Sequence, residues 1–172
     1  MNDQLKPNSF PLAHLITVRT YGTWLHGDKR LSVDRHGFNV FGQPRRLASA
    51  ELKRVMIANM TKYALRLNDE QRALVKQAIE EVCHHRDYEL WAVNVLINHF
   101  HVVVSARSKP EPIADAFKSY ATRKLRETRL IRLDVKPWAR GRSRRYLWKA
   151  KHLSRAINCV LYDQEELPDF DD

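Results

Sequence analysis

The chain has 172 residues, enough for one well-cored domain and too few to expect two. Thirty Lys+Arg against 20 Asp+Glu leave a formal net charge of +10, a surplus that points to a polyanionic partner, with nucleic acid foremost. No apolar run approaches the roughly 20 residues of a spanning helix, no basic-then-apolar leader opens the chain, and Cys83 and Cys159 lie far apart without CxxC spacing. These features argue against a membrane protein, a disulfide framework and a thiolate zinc site, so a cytoplasmic protein with two reduced, buried cysteines is expected.

Residues 1–13, polar and interrupted by Pro7 and Pro11, read as a flexible N-terminal arm. HLITVRTYGTW alternates apolar and polar residues and predicts a strand over about residues 14–24. The glycine-bearing segment that follows, to Arg46, predicts a long exposed loop, and a loop of that length suggests a functional role. A helix is expected over 49–65. A second begins at Asn68, where Asn68 and Gln71 form a capping pair ahead of Leu74, Val75, Ala78, Ile79, Val82 and Cys83 at helical spacing. His84 and His85 close it as helix-terminal cations.

YELWAVNVLIN and HFHVVVSA, separated at Asn98, predict a hairpin. On its second strand Phe100, Val102 and Val104 share one face, which leaves His99, His101 and Val103 on the other. A helix with Pro112 in its first turn runs through IADAFKSYATRKLRE; RYLWK is a last strand and HLSRAINCVLYDQ a closing helix. The order suits an α+β fold of ferredoxin-like (RRM-like) type, an antiparallel sheet with helices packed on one face, in one domain over 14–162. The tail from 163 to 172 is acidic and should be solvated, or shield the basic surface.

Residues two apart on a strand point the same way, so His99 and His101 can offer two imidazoles to one divalent ion while Phe100 anchors the strand. On the next helix, Ile113, Phe117, Tyr120 and Lys124 form one stripe, which turns Tyr120 towards the body of the domain. A lysine on that stripe suggests that it leaves the core near Tyr120, because a buried ammonium is costly.

INHFHVVV, with Asn98 ahead of His-hydrophobic-His, and AFKSYATRKL, with Tyr120 on the following helix, resemble the HUH single-tyrosine transposases, including the REP-associated kind. TYGTWLHGD and RYLWKAKH extend the resemblance from about residue 14 to 160. It implies that His99 and His101 ligate a divalent metal, Mg²⁺ or Mn²⁺, and that Tyr120 is the nucleophile. It implies an enzyme that nicks and rejoins single-stranded, hairpin-bearing DNA through a 5′-phosphotyrosine, within its own subunit or across a homodimer. Members of the family often complete the metal site with an amide or carboxyl one turn after the tyrosine. Lys124 stands there instead, which leaves His26 and Asp28 as candidates for a third ligand, while Lys118 and Lys124 are candidates to assist the phenol or contact DNA.

The positive charge concentrates in KPWARGRSRRYLWKAKH, where Arg140, Arg142, Arg144, Arg145 and Lys149 alternate with Trp138, Tyr146 and Trp148, cations for phosphates and aromatic faces for unpaired bases. A second basic patch spans Lys29 to Arg46. Two functions of different class fit these residues: a metal-dependent DNA transesterase, and a catalytically silent RRM-like single-stranded nucleic-acid-binding module.

Overall fold

The computed structural model describes residues 10–29 and 47–162. The N-terminal arm up to residue 9, most of the long basic loop and the acidic tail lie outside the described residues.

Alternating apolar residues build the sheet. Its strands are β1 (Ala13–Arg19), β2 (Glu89–Val95), β3 (His99–Ser105) and β4 (Ser143–Leu147). They lie in the order β2-β3-β1-β4 and every pairing is antiparallel. Between them run α1 (Ala50–Ala58), α2 (Asp69–His85), α3 (Pro110–Glu127) and, after the last strand, α4 (Ala150–Tyr162). This is the expected ferredoxin-like α+β arrangement. The expected strand over 14–24 stops at Arg19, and the helix expected over 49–65 stops at Ala58. Beyond β1 the left-handed backbone of Gly22 (φ 75°) and Gly27 (φ 86°) turns the chain away.

The two faces of the sheet are covered by different helices. Ile16 and Val18 of β1 with Phe100, Val102 and Val104 of β3 are buried against Val75, Ile79 and Val82 of α2 and Ile113, Phe117 and Ala121 of α3. On the opposite face Ala13, Leu15, Val103 and Leu147 are buried against Ala156 and Val160 of α4. The paired helices α2 and α3 thus make the layer that the sequence predicts, and α4 adds a second layer behind the sheet. A short connection, from Leu147 at the end of β4 to Ala150 at the start of α4, reverses the chain, and the helix then crosses the sheet to pack on β3 and β2.

Asn68 caps α2 as expected. Its Oδ1 accepts from the Gln71 backbone N–H at 2.8 Å while Gln71 Oε1 accepts from the Asn68 N–H at 2.9 Å. The Gln71 amide also donates to the Leu130 carbonyl at 2.8 Å, which ties the helix start to the segment after α3. Asn68→Ala is therefore expected to cost about 1 kcal/mol, seen as a fall of about 2–4 °C in a thermal melt. Cys83 and Cys159 are both free and buried. Among the described residues no helix is long and apolar enough to cross a membrane.

Candidate functional site

The histidine pair occupies the end of the sheet that α4 leaves open. In register, His99 lies opposite Arg19 and His101 opposite Thr17, with Asn94 of β2 on the other side of His101. Odd-numbered residues of β1 share the α4 face, because Ala13 and Leu15 are buried there, so Thr17 and Arg19 emerge beside the histidines. The two imidazole centroids are 4.5 Å apart.

Each ring is held through Nδ1. His99 Nδ1 is 2.6 Å from Asn98 Oδ1, an atom that can only accept, so the ring donates and its lone pair lies on Nε2. His101 Nδ1 is 2.8 Å from the Thr17 hydroxyl, and a proton on Nδ1 gives the same tautomer. Metal-ligating histidines are oriented by this kind of bond. Burial, with the charges of His99 and Arg19 adding to it, pushes the His101 pKa down to about 3, which keeps the imidazole neutral and able to ligate.

These residues fit a divalent ion in kind: two imidazoles side by side on one strand, each with its Nδ1 engaged by a neighbour, which leaves Nε2 as the atom that would face an ion. They do not form a complete protein cage. Among the described residues there is no group of three or more His, Cys, Asp and Glu that could hold a metal. His26 and Asp28, the candidates for a third ligand, do not form such a group with the histidine pair. Asp28 is buried and bound to Lys53 Nζ at 3.0 Å, so its carboxylate is already neutralised within the turn after β1.

Tyr120 is not beside the histidines of its own chain. Its ring packs on the cluster of Phe100, Phe117 and Ile113, with the Arg123 guanidinium 4.5 Å over it, and the sheet separates it from the opposite face. The physical reason is the strand parity itself: α3 lays its apolar stripe on the Phe100 face, which is the face the histidines avoid. Tyr146 is likewise on the α3 side, with its ring 5.3 Å from His14 in a T-shaped contact. Lys124 does not open a polar site. Its ammonium pairs with Glu81 of α2, joining the two helices. Lys118 is similarly engaged, donating to the Ala139 carbonyl at 3.0 Å and towards that of Gly141 at 3.4 Å, so it ties α3 to the basic segment.

The helix on the histidine face ends in a tyrosine that the spacing did not reveal. Because β4 runs away from the histidine end and α4 returns towards it, the last turn of α4 arrives near His101. The Asn94 amide donates to the Val160 carbonyl at 3.0 Å, and Asn94 is the strand partner of His101. Two residues later stands Tyr162, 76% exposed.

The basic segment divides between the faces. Arg145 is the partner of Leu15 and shares the histidine face. Arg144 projects to the other side, where Glu111 Oε1 lies 2.8 Å from its Nε, and Arg142 Nη1 meets Asp115 at 2.6 Å. Arg142 and Arg144 thus pair with α3, and Arg140 and Lys149 are solvent-exposed. Tyr146 and Trp148 stack at 6.4 Å between centroids, and both are solvent-facing.

Comparison with known proteins supplies an independent constraint. The profile of the family described as "Transposase IS200 like" matches residues 49–155, which include both histidines, α3 and the basic segment. No curated protein matches. A structure of a REP-associated tyrosine transposase bound to a REP hairpin is similar in fold, with a TM-score of 0.52 and 12% identity over 95% of this chain and 72% of that one. A presumed transposase of Deinococcus radiodurans R1 is 13% identical, with a TM-score of 0.48 over 97% of this chain and 100% of that one.

Proposed function

Because the chain belongs to the family of IS200-like transposases, we propose that it is a metal-dependent transesterase that nicks and rejoins single-stranded DNA beside a hairpin. The observation that carries the reading is the His99–His101 pair, side by side on one strand and held through both Nδ1 atoms. A catalytically silent binding module has no need of two imidazoles oriented in this way.

His99 and His101 would hold the ion, Mg²⁺ or Mn²⁺, with water and phosphate oxygens completing its sphere. Bound there, it would neutralise phosphate charge and favour departure of the 3′-oxygen. The phenolic oxygen of a tyrosine attacks phosphorus, the bond to the 3′-oxygen breaks, that oxygen takes up a proton, and the DNA remains attached as a 5′-phosphotyrosine whose ester can be rejoined. On geometry the tyrosine is Tyr162, at the end of the helix on the histidine face. Tyr120 could meet the pair only from a second copy of the chain. DNA is held by charge: Arg140, Arg145 and Lys149 serve phosphates, while Tyr146 and Trp148 offer stacking surface to unpaired bases.

The test is a denaturing gel of the protein with labelled single-stranded hairpin DNA and Mn²⁺. A metal-dependent covalent species is expected; binding without any such species would instead favour the silent module. The division of the basic segment has its own expected result. Replacing Arg140 and Arg145 together by Ala should weaken binding to every sequence and reduce the salt slope by about 0.7 for each lost phosphate contact. The pair Arg142→Ala and Arg144→Ala should move the slope less, because Arg144 and the partners Asp115 and Glu111 stand on the α3 side of the sheet, away from the histidine face. Filter binding across a salt series reads both.

A further inference from the structure

Arg19 is the last residue of β1 and the direct cross-strand partner of His99, on the same face. It is an arginine at the one end of the sheet where two imidazoles stand ready to receive a cation. The guanidinium sits over the Trp24 indole, its central carbon 3.5 Å from the ring centroid, a cation–π contact that fixes where the arginine stands beside His99.

The indole is itself positioned relative to the histidines. Trp24 lies in the turn after β1, and that turn is fastened to the residue preceding His99. The Thr20 N–H and hydroxyl donate to the Asn98 carbonyl at 2.9 and 3.0 Å, and the Thr23 hydroxyl is within 3.3 Å of the same oxygen. The Asn98 side chain meanwhile fixes the His99 ring. One residue thus couples the arginine's support and the histidine's orientation.

We propose that Arg19, held on Trp24, binds a non-bridging oxygen of the scissile phosphodiester beside the His99–His101 site. The proposal rests on reading that pair as the metal site. It adds the residue that would recognise the reacting phosphate and the shelf that aims it. Arginine suits the task because its planar fork matches two oxygens of one phosphate, which a lysine cannot do.

The wild-type chain first maps the cleaved linkage in a hairpin oligonucleotide. The same oligonucleotide is then made with an uncharged methylphosphonate at that linkage. Arg19→Ala is expected to slow cleavage of the natural strand about 10²–10³-fold with KM little changed, as for loss of one transition-state donor. Arg19→Lys should recover part of the rate. On the methylphosphonate the gap between wild type and Arg19→Ala should shrink, because the charge that Arg19 meets is gone. Mn²⁺ binding, followed by electron paramagnetic resonance, should be retained in Arg19→Ala. Wild-type cleavage by Arg19→Ala, an equal defect on both linkages, or loss of Mn²⁺ binding would each overturn the proposal. Should the wild type cleave nothing, the Arg19 Nε–H resonance is followed on adding the oligonucleotide. A shift keeps the phosphate contact while the transesterase reading falls; no shift removes the contact as well.

Discussion

Tyr162→Phe is expected to eliminate the covalent protein–DNA species while leaving hairpin binding and thermal stability at their wild-type values. Only a hydroxyl is removed, and Tyr162 is 76% exposed, so no core contact is lost. Tyr120→Phe should behave in the opposite way. Its ring packs on the α2–α3 side of the sheet, so the variant keeps the adduct, and losing the hydroxyl costs at most about 1 kcal/mol. Mass spectrometry of the digested adduct identifies the attached residue directly. If Tyr120→Phe loses the adduct and Tyr162→Phe keeps it, a second copy is supplying Tyr120. Mixing Tyr120→Phe chains with His99→Ala chains would then restore activity, since each would contribute the half that the other lacks. An adduct that survives both substitutions would direct the search to Tyr21, two residues beyond the end of β1.

The element order was legible because it rests on local signals. Period-two alternation gave the strands, the Asn68–Gln71 pair gave the start of α2, and strand parity placed His99 and His101 opposite Phe100. Tyr120 is the nucleophile that the resemblance implies, on a stripe expected to leave the core near Lys124; instead Lys124 pairs with Glu81 and the stripe stays packed on the strand face bearing Phe100, which the histidines leave. What the sequence could not carry was pairing between distant elements. That Arg19 faces His99 follows from the β1–β3 register, which no single segment encodes. That Lys124 answers to Glu81, Arg142 to Asp115 and Arg144 to Glu111 follows from helix packing, so positions read as DNA contacts also take part in surface ion pairs that no single segment encodes. Tyr162 was hidden for another reason. A helix that follows the last strand could cover either face, and its packing on distant strands, Ala156 and Val160 against Val103 and Ala92, decides which.

His99→Ala and His101→Ala should each reduce cleavage about 10³-fold or more, since the ion's charge stabilisation amounts to several kcal/mol and each 1.36 kcal/mol is a factor of about ten. Both side chains are only half-buried at the open end of the sheet, so stability should fall by no more than about 1 kcal/mol and hairpin binding should persist. The surrounding hydrogen bonds allow a graded version of the same experiment. Asn98→Ala and Thr17→Val leave both imidazoles in place but remove the groups that hold their Nδ1 atoms. Each should weaken Mn²⁺ binding about 10–100-fold, the usual effect of losing a partner that orients a ligand. Excess Mn²⁺ should then restore cleavage in Asn98→Ala and Thr17→Val but not in the histidine variants. A titration of rate against Mn²⁺ reads the whole series. Unchanged rates in His99→Ala and His101→Ala would remove the metal site from the mechanism, and with it the reason for two imidazoles side by side on one strand.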